Sequence, residues 1–221
     1  MEHPIKMAHK NSKRGTRGTI ISSLEQIDIQ YWSELEQRTA VILLADPTIR
    51  ELRCQTPTVD WTDDQGEVHE HRFDFCAVYH DGTTRAFNVK YVEEKPEVDA
   101  LFQALDGLDL GFEMVWVNET MATPGCFQNA RSILKARENF NSDDYHDALR
   151  CLEGIHGAVY FHGLFKGARN LADRREALFN LIDRGVIVVA DELERLADYS
   201  KVHVNRPLLD LELKSHVKSV A

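Results

Sequence analysis

The sequence predicts an α/β chain in two parts, and three observations carry that expectation. Apolar residues alternate with polar ones on both sides of the Asp81-Gly82 turn, as a half-buried two-stranded ribbon requires. Helical spacing precedes this hairpin from Ser33 to about Leu44 and follows it at Val98, Leu101, Phe102 and Leu105, before an apolar run from Phe112 to Val117. Beyond Ala122-Thr123-Pro124-Gly125, a boundary signal, the pattern turns mostly helical. The expected divisions are a basic tail over residues 1–18, an α/β domain over 19–122, a mostly helical domain over 126–204, and a C-terminal tail over 205–221.

Taken in order, Ile20 to Ile29 has mixed periodicity and leads into a helix whose Leu35, Thr39, Ile42 and Leu43 form one stripe. Ser33 and Glu36 have the spacing of a capping box, and Asp46-Pro47 stops the helix. Ile49 to Gln55 reads as a strand, and Asp63-Asp64-Gln65-Gly66 marks a turn inside a polar stretch. After Gly125, helices are expected over Asn129–Glu138, Asp143–Leu152 with Ser142 as cap, Val159–Lys166 and Ala172–Arg184. Gly185 ends the last of these, and Val186 to Val189 forms a short strand. The apolar Leu208–Leu213 segment either packs back on this domain or docks on a partner.

The hairpin from His71 to Lys90 carries the chemistry. A three-residue loop, Asp81 to Thr83, puts Phe73, Phe75, Ala77 and Tyr79 on one face with Phe87, Val89 and Tyr91. The other face gathers Asp74, Cys76, Val78, Ala86, Asn88 and Lys90, with Asp74 across from Lys90. A carboxylate and an amide oxygen are hard ligands for Mg²⁺ or Mn²⁺, and an ammonium beside them stabilises charge on a phosphate or orients a water. A surface hairpin with a cross-strand ion pair is the plainer reading. His69 and His71 share a strand face nearby, an arrangement also found on exposed hairpin ends.

The series Ser33-Glu34-Leu35-Glu36 on a helix, Asp46-Pro47, a strand ending Gln55-Thr56-Pro57, then Arg72-Phe73-Asp74 and Asn88-Val89-Lys90 resembles the TnsA family. These are transposon-end endonucleases of heteromeric transposases, in the PD-(D/E)xK superfamily. The resemblance covers about residues 30 to 120. It implies a restriction-endonuclease-like core followed by a winged-helix-like domain, with catalytic residues Glu36, Asp74, Asn88 and Lys90. Glu36, Asp74 and Asn88 would bind Mg²⁺ or Mn²⁺, and Glu34 is the rival for the helical glutamate, because neighbouring helical residues point about 100° apart. Asn88 departs from the family, which has Gln or Glu there. The implied activity is cleavage at the 5′ ends of a transposon, beside a DDE-type transposase subunit and an ATPase regulator. A stand-alone nuclease of restriction or repair, and a non-catalytic scaffold, are the alternatives.

With 26 Lys and Arg against 36 Asp and Glu, the net charge of −10 opposes a protein that coats DNA by charge alone. Lys6, Lys10, Lys13, Arg14 and Arg17 concentrate positive charge in the first 18 residues, a segment suited to phosphates or to solubility. Arg174 and Arg175 could bring a helix start into a DNA groove, but Asp191, Glu192 and Glu194 nearby favour protein contact. Cys54, Cys76, Cys126 and Cys151 are widely spaced and indicate neither a zinc site nor a disulfide framework. The absence of a long apolar run or secretory signal leads to the expectation of a cytoplasmic protein that does not enter membranes.

Overall fold

The computed structural model describes residues 17–22, 27–63 and 65–220. Most of the basic tail, including Lys6, Lys10, Lys13 and Arg14, and the turn residue Asp64 lie outside the described residues. The chain is a mixed α/β protein with several small sheets and six α-helices among those residues.

A first hairpin, β1 (Gly18–Ser22) and β2 (Ile27–Tyr31), leads to helix α1 (Glu34–Ala45). Strand β3 (Ile49–Cys54) follows, then a separate hairpin of β4 (Thr58–Thr62) and β5 (Val68–Arg72). Strands β6 (Phe75–Tyr79) and β7 (Thr84–Val89), helix α2 (Lys95–Leu105) and strand β8 (Glu113–Val117) complete the first half. The central sheet has the order β3-β6-β7-β8, with the first three strands antiparallel and β8 parallel to β7. A parallel pair needs a crossover, and α2 supplies it.

The β6–β7 hairpin keeps the expected parity of faces, but its pairing is shifted by two residues. Tyr79 N–H donates to Thr83 C=O at 2.8 Å, so the loop is His80–Gly82, and Phe75 lies across from Phe87. Asp74 therefore does not lie across from Lys90. Phe75, Ala77, Phe87 and Val89 meet Leu35, Ala40, Leu43 and Leu44 of α1 in one core. Phe73, expected on the same face, packs instead with Ala86 and Leu105 on the other side of the sheet. A β-bulge is the reason: Asp74 N–H donates to Phe87 C=O, the residue already paired with Phe75, so two residues oppose one.

In the second half, α3 (Pro124–Glu138) and α4 (Ser142–Cys151) precede strand β9 (Ala158–Tyr160) and a 3-10 turn at Phe161–Phe165. The expected helix over Val159–Lys166 is therefore a strand and a tight turn. Tyr160 stays half exposed while Phe161 and Leu164 are fully buried, a spacing of three that suits a 3-10 turn. Helix α5 (Leu171–Asp183), strands β10 (Ile187–Val189) and β11 (Lys201–Val204), and helix α6 (Arg206–Val220) complete the chain. The three strands form an antiparallel sheet in the order β10-β11-β9. Leu208, Leu209 and Leu213 of α6 pack back on this core, and Tyr145 donates to Glu212 at 2.9 Å. Asn141, rather than Ser142, caps α4, its side chain accepting from the Asp143 and Asp144 N–H groups.

Helix α3 belongs to both halves. Ala130, Ile133 and Leu134 pack against Val41 and Ala45 of α1, while Ala136 enters the core built by α4 and α5. Arg137 fastens this junction. Its guanidinium donates to Leu44 C=O at 2.9 Å, Ala45 C=O at 2.7 Å and both oxygens of Asp183. The loop before β11 is tied to the start of α3 through Asn129, which bonds Glu194 C=O and Leu196 N–H at 2.8 Å each. Gly125 permits that approach, since a Cβ there would lie 2.5 Å from Arg195 N.

Replacing Arg137 by Met leaves two α1 carbonyls and a mostly buried Asp183 carboxylate without their donor. We expect a loss of about 3 kcal/mol in urea unfolding, with part recovered by adding Asp183→Asn.

Candidate active site

Three of the four residues expected from sequence converge where α1 begins and the β6–β7 pair opens. Ser33 caps α1 by accepting from Glu36 N–H at 3.0 Å, and Glu36 Oε2 reaches back to accept from Trp32 N–H at 2.8 Å. This fixes the Glu36 carboxylate at the helix start. Glu34, its rival, points elsewhere and pairs with Arg38 one turn on. Capping and site placement are thus the same arrangement: the back-bond that ends the helix also holds the carboxylate over the sheet.

Asp74 sits at the bulge. The Val89 N–H, free because the ladder ends there, donates to Asp74 Oδ2 at 2.7 Å. Burial and then the Glu36 charge push the Asp74 carboxyl up to about 7, with Val89 N–H, Lys90 and Gln55 acting in the opposite direction. Glu36 is raised as well, chiefly by burial, against the Trp32 and Ser33 hydrogen bonds and the Lys90 charge. Lys90 thus lies within electrostatic reach of both carboxylates, although its Nζ makes its ion pair with Glu94 at 3.3 Å. Its main chain is anchored on β8, where Lys90 N–H donates to Val117 C=O and Trp116 Nε1 donates to Lys90 C=O.

Asn88 is placed differently. It is 3 % exposed and pairs in register with Trp116. Alternation along β7 turns it to the sheet side of Ala86, away from α1. The amide at the Asp74 carboxylate belongs to Gln55, at the end of β3. Gln55 N–H donates to Asp74 C=O at 2.7 Å, and Gln55 adopts a left-handed φ of 55°, uncommon for a residue with a side chain. Its amide group comes near enough to lower the Asp74 pKa, but Nε2 makes no hydrogen bond of ordinary geometry. Sequence reasoning read Gln55-Thr56-Pro57 only as the end of a strand; the left-handed turn that aims Gln55 at Asp74 has no signature in residue type.

His71 approaches from β5. Its ring meets Phe73 edge-on at 4.9 Å, and burial followed by the Lys90 charge lowers its pKa, so the ring is neutral at physiological pH. Its Nε2 is buried without a partner. His69, two residues earlier, instead stacks on Trp61 and bonds Asp63 at 2.8 Å. Together with Glu67 these two form a group whose ligand atoms lie within 4.8 Å of one another and can hold a cation. The two histidines therefore do not act as one pair.

The donor set at Glu36 and Asp74 fits a hard divalent cation. Two partly buried carboxylates, both shifted upwards chiefly by burial and one of them further by the charge of the other, are short of positive charge, and oxygen ligands of this kind suit Mg²⁺ or Mn²⁺. Elsewhere, the helix-start arginines, for which the sequence favoured protein contact over a DNA groove, are engaged within the protein itself. Arg174 is 3 % exposed and bonds Asp147 and Leu164 C=O; Arg175 pairs with Asp198 and lies over the Phe165 ring. The four cysteines are free thiols, and among the described residues no helix is long and apolar enough to cross a membrane.

No protein-family model matches the chain, and no curated protein matches it either.

The raised Asp74 value has a consequence for stability. Because the folded-state pKa lies above the ordinary 3.8, the fold is favoured where Asp74 is protonated and loses that advantage as pH rises towards and through about 7. In metal-free protein, Asp74→Asn keeps the acceptor for Val89 N–H and removes the charge. It should raise stability at pH 8 by on the order of 3 kcal/mol, with the gain vanishing near pH 3, as read from denaturant midpoints across pH.

Proposed function

We propose that the chain is a metal-dependent DNA endonuclease of the TnsA kind, cutting the 5′ ends of a transposon as one subunit of a heteromeric transposase. The observation that carries this reading is the convergence of Glu36, Asp74 and Lys90, with Asp74 held near pKa 7 by burial and the Glu36 charge. The element order supports it. Helix, three antiparallel strands, crossover helix and parallel strand, with the acidic residue immediately before the second sheet strand, is an order compatible with a restriction-endonuclease-like core. In the second half, α4, β9, the 3-10 turn, α5, β10 and β11, with strand order β10-β11-β9, are compatible with a winged-helix-like module.

In this mechanism Glu36 and Asp74 would hold Mg²⁺ or Mn²⁺ through carboxylate oxygens, and the cation would supply Lewis acidity for activating a water. Glu36 is positioned by its back-bond from Trp32 N–H, so its carboxylate would bind an ion with little further loss of side-chain freedom. Lys90 offsets charge that gathers on phosphate oxygens as the water oxygen bonds to phosphorus and the bond to the departing sugar oxygen breaks. Asn88 lies on the other side of the sheet and takes no part in this scheme. The net charge of −10 and the internally paired Arg174 and Arg175 favour delivery of DNA by a more basic partner, such as a DDE-type transposase subunit working with an ATPase regulator.

The test is Mn²⁺-dependent cleavage of a duplex carrying transposon ends, with the cognate transposase present. Asp74→Ala and Lys90→Ala should each lower the single-turnover rate by about 10²- to 10³-fold. Cleavage that survives Asp74→Ala at the wild-type rate places the chemistry elsewhere and ends this reading.

A further inference from the structure

A cluster of rings stands in solvent at one end of the second sheet. Tyr160 at the end of β9 is 50 % exposed and Tyr199, two residues before β11, is 80 % exposed, although folding normally hides much of a ring of this size. His162 lies between them. Its ring stacks on Tyr160 at 5.8 Å with the planes 16° apart, and meets Tyr199 at 5.4 Å. The main chain fixes this end of the sheet: Phe161 N–H donates to Ser200 C=O at 2.9 Å, and His162 N–H to Asp198 C=O at 2.8 Å. Flat faces held in this way meet a ligand with little further ordering.

The neighbouring sheet face has the same character. In β9 and β11, Val159 and Val202 turn into the core, while Ala158, Tyr160, Lys201 and His203 are exposed. Tyr160 lies across from Lys201, and Ala158 across from His203, so ring and ammonium share one side.

Charge decides what such a surface receives. From Gly154 to Ala172 and from Tyr199 to Leu209 the sequence holds no Asp or Glu, in a chain that carries 36 of them against 26 Lys and Arg. Asp198, the chain neighbour of Tyr199, is paired with Arg175 at 2.7 Å. An acid-free face with open rings beside a lysine is complementary to a polyanion with flat, apolar faces of its own. In a duplex those faces are closed by stacking and pairing; in a single strand they are open.

We propose that Tyr160, Tyr199 and Lys201 form a binding surface for a single strand of nucleic acid, with bases stacked on the two tyrosine rings and a phosphate on Lys201. The surface lies in the second half of the chain and does not depend on the nuclease reading.

The experiment measures fluorescence anisotropy of a labelled oligothymidylate of about 12 nucleotides, titrated with the full chain at several salt concentrations, beside a duplex of the same length. Wild type should bind the single strand more tightly than the duplex. Tyr160→Leu and Tyr199→Leu should each weaken single-strand binding about tenfold, Tyr199→Trp should keep or tighten it, and Asp74→Ala should leave it unchanged. Lys201→Ala should lower the slope of log affinity against log salt by about 0.7, the value for one phosphate contact on a single strand. Both tyrosines are solvent-exposed, so thermal unfolding of the leucine variants should stay close to wild type. Single-strand binding that survives the Tyr160→Leu, Tyr199→Leu double variant within twofold overturns the proposal, since other residues, such as the basic first 18, then carry it. Wild type that binds no single strand, or binds the duplex as tightly, overturns it equally.

Discussion

The structure turns on two carboxylates buried within reach of each other's charge. Glu36 and Asp74 come from segments 38 residues apart in the chain, and each is held by a main-chain N–H rather than by a cation, Trp32 for the first and Val89 for the second. Both holding groups exist because regular structure stops at that point. Helix α1 begins there, and the β6–β7 ladder opens at a bulge. A protein that needed only stability would place an apolar side chain at either position, since carboxylates desolvated by burial, one of them beside the charge of the other, oppose folding. The surrounding core of α1 against β6 and β7 offsets that cost by burying Leu35, Leu43, Phe75 and Phe87 together.

Much of this was legible in the residues. The alternation around Asp81-Gly82 identified the hairpin and the parity of its faces, and helical spacing located α1 and α2 with their core stripes. Ser33 at the cap and Glu36 three residues later identified the helix start. What could not be read was the bulge at Asp74. Periodicity counts residues and assumes that each faces a single partner, so it missed the extra residue that moves Phe73 to the opposite core; the shift of the pairing by two comes instead from the turn, whose loop is His80–Gly82 rather than Asp81–Thr83. The same blindness misassigned the amide. Asn88 lies two residues from Lys90 in sequence, which matched the expected motif, but Gln55 reaches Asp74 by tertiary folding and a left-handed turn.

In the second half, composition misled where burial decides. Arg174 and Arg175 at a helix start read as a surface charge, yet Arg174 is interior, its guanidinium satisfied by Asp147 and a main-chain carbonyl. Arg137 does similar work between the halves, joining the end of α1 to α5 through Asp183. Such planar, multidentate donors suit buried junctions because one side chain satisfies several fixed acceptors. Arg137, Arg174 and Arg175 are thus paired within the protein, and the acidic loop before β11 is folded onto α3 instead of standing clear as a charged wing.

The most direct measurement is titration calorimetry of Mn²⁺ into wild type and Asp74→Ala near pH 6, in buffers of different ionisation heat. The account predicts binding to wild type with release of up to about one proton, since an Asp74 with pKa near 7 must give up its proton to take the ion, and loss of both signals in Asp74→Ala. Equal binding to both proteins, or none to either with DNA present as well as absent, would contradict a metal site built on Asp74.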